Sequence, residues 1–176
     1  MNEIVKKNGI FFGVVTGVIS VLITTLIYII DLSWFTSFWM LIVMLAIYIV
    51  IACVMLSKTK KELNGLMTFK QGFTTYFLSA VIGILISVVF NIVLFNFVDP
   101  GARETIKELS LESAVSMMEK FGAPQEEINK TILKMQDTDQ FETVELLKGS
   151  IFSMLFSAVF GLIFAAIFKS KSPNRE

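Results

Sequence analysis

The side chains available for chemistry in this 176-residue chain are few. It has no histidine, so the commonest general base and the commonest metal ligand are both missing. Serine and threonine are plentiful, but without histidine they form no ordinary nucleophilic triad. The single cysteine, Cys53, forbids an intramolecular disulfide. It reads as a small buried hydrophobe, with palmitoylation as the alternative. The nearest approach to metal-ligand spacing is Asp137, Asp139 and Glu142, a partial calcium loop. The fifth position holds Phe141 where an oxygen ligand belongs, and the sixth holds Glu142 where glycine is required. Solvated charge is the better account. Asn91 and Asn96 are the polar side chains deepest in the outer half of the long apolar run at 71–98. They serve either a solute or ion site or hydrogen bonding between helices. We therefore expect no catalytic residue, no metal site, no cofactor and no enzyme.

The remaining pattern is one of packing. Gly9, Gly13 and Gly17 repeat at four, as do Gln71, Thr75, Ser79, Gly83, Ser87 and Asn91. Gly149, Ser153, Ser157, Gly161 and Ala165 repeat the device a third time. Small residues four apart set a shallow groove along a helix where another backbone can approach closely. The groove residues we single out are Gly9, Gly13, Gly17, Ser79, Gly83, Ser87, Asn91, Ser153, Ser157 and Gly161.

These grooves lie in apolar blocks long enough to cross a bilayer. The chain is 55% hydrophobic with a mean hydropathy of +0.73, above the roughly 45–50% of soluble domains. Residues 8–30, 71–98 and 149–168 carry no charge, and about 20 apolar residues span the hydrocarbon. We predict an all-α integral membrane four-helix bundle with spans at 9–30, 36–57, 71–98 and 149–168. Residues 1–8 form the N-terminal segment and 58–70 a basic connector. Residues 99–148 form an acidic helical insert between spans three and four, and 169–176 a tail. Span two has no glycine, so spans one, three and four are expected to pack closely with span two outside, facing lipid. Trp34, Phe35, Phe38 and Trp39 flank the Asp31 turn as an aromatic belt.

The insert carries 11 acidic and 6 basic residues, a net of −5. Asp99-Pro100-Gly101 ends span three. Thr105 with Glu108 reads as a capping box. Leu111, Ala114, Val115, Met118 and Phe121 then form an apolar stripe, and Gly122 ends that helix. Pro124 suits the first turn of the next, whose face is Ile128, Ile132 and Met135. Asp139 with Glu142 is the expected cap of a third helix running into the last span.

Whole-chain charge balances, 15 basic against 15 acidic, but its distribution does not. Bases cluster before span one, between spans two and three, and in the tail. The positive-inside rule places both termini and the basic connector in the cytoplasm of a bacterial inner membrane. Lys6 and Lys7 precede an apolar run as in a signal peptide, but the run is too long and lacks a cleavage site, so we expect it to be retained. No basic stripe suits nucleic acid.

Thr68-Phe69-Lys70-Gln71-Gly72-Phe73 leads into a long span ending in Asp99-Pro100. Met118-Glu119-Lys120-Phe121-Gly122 follows, then Pro124-Gln125-Glu126-Glu127. With the early Gly9, this order resembles the uncharacterised membrane family known as domain of unknown function 4199, found mainly in Bacteroidetes bacteria. The resemblance covers roughly residues 4–169. It implies four spans and a bacterial envelope location, and carries no activity. The expected role is a non-enzymatic membrane protein. Its partners are the lipid bilayer and, through residues 99–148, another envelope protein. The alternative is a subunit of a small oligomeric pore or transport accessory, made by self-association.

Overall fold

The structure, a computed structural model, describes residues 2–137 and 140–170. Its helices are α1 (Glu3–Ile30), α2 (Phe38–Glu62), α3 (Phe69–Val93), α4 (Pro100–Lys120), α5 (Gln125–Asp137) and α6 (Thr143–Phe168). A short 3-10 turn, Leu32–Thr36, joins α1 to α2, and a π-helical turn, Leu94–Val98, extends α3. Among the described residues there is no strand. Four helices are long and apolar enough to cross a membrane: α1, α2, α3 with its π-helical turn, and α6. The protein is an all-α membrane helix bundle with α4 and α5 inserted between its third and fourth spans.

Local chemistry decides where each helix starts. Asn2 Oδ1 accepts the Ile4 amide, so α1 begins at Glu3, before the charge-free run. Thr68 and Gln71 form a reciprocal capping box at the start of α3. The expected box at Thr105 and Glu108 is absent. Asp99 caps α4 instead, accepting the Ala102 amide at 3.0 Å with Pro100 in the first turn, and Thr105 donates back to the Gly101 carbonyl. Proline at the first helical position loses no hydrogen bond, so the sequence that ends α3 starts α4 at once. Glu142 precedes α6 without a side-chain cap, and Asp139 lies outside the described residues. Asp31 caps the 3-10 turn through the Ser33 amide rather than α2. Asn64 and Gly65 turn the chain from α2 to α3 with φ of 55° and 80°.

Cross-links identify the two ends of the bundle. At one end Asn8 of α1 meets Thr59 and Glu62 of α2, and Ser170 after α6 meets Met67 and Gly65 in the α2–α3 connector. Both chain ends therefore lie with that connector. At the other end Tyr28 of α1 donates to Asp99, joining α1 to the root of α4. Two apolar clusters follow this division. Phe12, Ala52, Met55, Leu56, Met67 and Phe164 close the terminal end. Leu94, Phe95, Ala102 and Ile106, flanked by Phe35 and Phe141, close the insert end.

The packing follows the expected order in part: the two extensive seams join α1, α3 and α6, and α2 makes the lesser contacts. α3 is central: it packs on α1 along its length and on α6 over part of it, while α1 and α6 make no substantial contact. α2 is not simply outside, because Ala52, Met55, Leu56 and Thr59 in its second half are buried. The span with least burial is α6, at 11% against 33% for α1. In the insert, Ile128 is buried between α5 and its surroundings, but Phe121 projects from the end of α4 at 84% exposure rather than joining the stripe.

Candidate functional site

Six of the ten groove residues come together on one seam, between α1 and α3. A Cβ added at Gly9, Gly13 or Gly17 would stand 2.9, 2.7 and 2.7 Å from Leu78, Ile82 and Ile86 in turn. Real side chains do not approach so closely, so the helices interlock only because those positions are glycine. In return, a Cβ at Gly83 would stand 3.1 Å from Thr16, and Ser79 is buried beside Gly13. Ser20 Oγ donates to Ser87 Oγ across the seam at 2.9 Å, and Asn91 Nδ2 donates to the Ser87 carbonyl and hydroxyl. Asn91 thus bonds back to its own helix rather than across to another. Asn96 lies beyond the regular helix, in the π-helical turn, where it donates to the Phe141 carbonyl and accepts from Arg103.

The groove of α6 behaves differently. Gly161 packs against Tyr76 and Phe73, and Ala165 lies against Gly72. Of Ser153 and Ser157, both expected to pack on a neighbouring helix, Ser157 is half-buried. Ser153 is exposed, and a Cβ at Gly149 would meet nothing within 4 Å. The first half of α6 stands away from the regular part of α3, while its lead-in is held at the insert end by the 3-10 turn and the π-helical turn that extends α3. The Phe141 ring sits 4.3 Å from Phe95 and 6.2 Å from Phe35, and Asn96 holds its carbonyl. Nothing in the periodicity of α6 signals this; the tether lies outside the span.

The divergence opens a wedge of about 650 Å³ between α2, α3 and the first half of α6, with Thr16 and Ser20 of α1 at its back. Met55, Tyr76, Phe160 and Phe164, part of the terminal-end cluster, floor it. Leu45, Tyr48, Phe152 and Phe156 wall it, and Gln140 and Glu145 stand at its insert-end rim. Size and lining fall within the range of small-molecule sites. Sequence reading missed the wedge because its wall residues look like ordinary lipid-facing side chains.

At the root of α4 the electrostatics are local. Asp99 is held below the usual carboxylate range first by the Ala102 amide and then by the Tyr28 hydroxyl. Asp31 is lowered by the Ser33 amide. Among the described residues, no three Asp, Glu or Cys side chains converge where they could hold a metal ion. Cys53 is half-buried against the terminal-end cluster.

Residues 11–170 match the family described as "Protein of unknown function (DUF4199)", and the chain belongs to that family. No curated protein and no solved structure matches it.

Proposed function

We propose that this DUF4199 member is a non-enzymatic inner-membrane protein whose bundle carries α4 and α5 as a helical arm for contact with another envelope protein. The observation that carries this reading is the contrast between the root and the tip of the arm. At the root, Asp99, Ala102 and Ile106 are fixed to α1, the 3-10 turn and the π-helical turn. At the tip, Phe121 and Met117 present apolar surface at 84% and 49% exposure. Large exposed aromatic side chains on a fixed support are the usual anchors of protein contacts. The basic residues support a cytoplasmic position for the termini and the α2–α3 connector, with the arm on the opposite face.

The test is a photo-crosslinking amino acid at Phe121 in the full chain in cells. The expected product is one discrete heavier species containing a second envelope protein. Adducts only to lipid or to this chain itself overturn the reading. The hydrogen bonds of Ser87 and Asn91 weigh against the pore alternative, since Ser87 accepts from Ser20 across the α1–α3 seam and Asn91 donates to Ser87 within α3.

A further inference from the structure

The wedge is separate from the arm's exposed tip, and its chemistry asks for its own occupant. We infer that it binds one zwitterionic, amine-headed phospholipid of the phosphatidylethanolamine type. The chain lies between α2, α3 and α6, and the head sits at Glu145 and Lys148. Three observations converge on this ligand.

The first is shape at depth. The wedge narrows onto an apolar floor and is walled by exposed apolar side chains, Phe152 at 71% and Phe156 at 56%. Such surface in a bilayer is covered by acyl chain.

The second is the direction of the hydroxyl protons. Thr16 donates to the Phe12 carbonyl, Ser150 to that of Leu147 and Ser153 to that of Gly149. Ser20 donates to Ser87. These four hydroxyls have committed their protons, and Ser150 and Ser153, which follow Glu145 and Lys148 along α6, therefore offer lone pairs beside the rim. Acceptors beside the head repel an anionic group and match a ligand that brings donors, as an ammonium head does.

The third is the rim. Glu145 lines the wedge with its side chain 30% exposed, while its ion-pair partner Lys148, outside the lining, is 65% exposed. This puts negative charge inward and positive charge outward. A zwitterionic head docks on that dipole with its ammonium toward Glu145 and its phosphate toward Lys148.

The experiment is native mass spectrometry of the full chain, released from detergent containing equimolar phosphatidylethanolamine and phosphatidylglycerol. One bound phosphatidylethanolamine per chain is expected, favoured about tenfold, the scale of one charge-assisted contact. E145Q is expected to erase that preference. S153W, which fills the wedge, is expected to cut lipid retention about tenfold. Should S153W misfold, the wild-type chain still decides: a photoreactive acyl chain on phosphatidylethanolamine is expected to mark Leu45, Phe152 or Phe156. Equal retention of the two lipids, label spread over the outer face of α1 at Phe11 and Val18, or a lipid-free dimer each overturn the proposal.

Discussion

The α1–α3 and α3–α6 seams carry the same four-residue device and put it to different use. On the first, Leu78, Ile82 and Ile86 step along α3 by four, and each meets one glycine of α1. On the second, α3 offers Phe73 and Tyr76 to Gly161 and Gly72 to Ala165, and toward the insert end nothing faces Gly149. A line of small residues therefore marks a capacity for close packing. Whether it closes depends on a matching row of side chains on the partner and on where the chain is held just outside the span. One seam closes along its length; the other closes for half of it and leaves the wedge.

The largest expected effect tests that contrast directly. At Gly13 a new Cβ would stand 2.7 Å from the Ile82 Cβ and 3.0 Å from the Ser79 carbonyl oxygen, atoms close to or in the backbone that cannot swing aside. Gly13→Leu is expected to destabilise the bundle by roughly 3 kcal/mol or more, at the upper end of overpacking effects. Gly149→Leu, with open space around it, is expected to stay within about 0.5 kcal/mol. Thermal unfolding of both variants in the same detergent makes the comparison. Equal losses would show that the two seams do not differ as described.

A second contrast sets a polar link at the terminal end beside one midway along the α1–α3 seam. Asn8 is 1% exposed and gives both amide protons across to α2, to Thr59 at 3.2 Å and Glu62 at 2.9 Å. Asn8→Leu strands a charged acceptor and is expected to cost about 1–3 kcal/mol. Ser87→Ala removes the Ser20 link from a seam already held by interlocking side chains. It is expected to cost about 0.6 kcal/mol, the average for such bonds between membrane helices. Denaturant titration of the two variants checks the order. If Ser87→Ala costs more, hydrogen bonding and not shape holds the α1–α3 seam.

The four spans were legible because length and apolarity leave few alternatives in oil, and the three glycines of α1 because each lowers helix propensity unless a neighbour needs the space. Their partners were not legible. Leu78, Ile82 and Ile86 are indistinguishable by type from side chains that face lipid. Asn8 sat at the edge of its span and read as a boundary, although it bridges two helices. The placement of the α6 lead-in turns on Phe141, an aromatic residue in an acidic segment whose contacts with Phe35 and Phe95 join positions distant in sequence. Periodicity reports the face of a helix; it does not report which face of which neighbour meets it.

The smallest effect, and the one confined most sharply to a single end, is the pH response of the arm's root. The Asp99 carboxylate accepts from the Ala102 amide and the Tyr28 hydroxyl. Both bonds favour its charged form, so its folded pKa lies below the ordinary value. The unfolded root binds the proton more readily. The stabilisation is therefore complete above the ordinary carboxylate pKa of about 4 and is lost as pH falls through the lowered one. Asp31 has the same sign through the Ser33 amide. Hydrogen-exchange protection of the first turn of α4, followed from pH 6 downward and corrected for intrinsic exchange, is expected to fall only below about pH 4. D99N should lower that protection at neutral pH and flatten its pH dependence, leaving only the Asp31 share. At the closed end, the Met67 and Ser170 amides, held by Ser170 Oγ and the Met67 carbonyl, involve no carboxylate and should not respond. Parallel loosening of both ends would mean that the root of the arm and the clasped terminal end unfold as one unit, and the division between them would not hold.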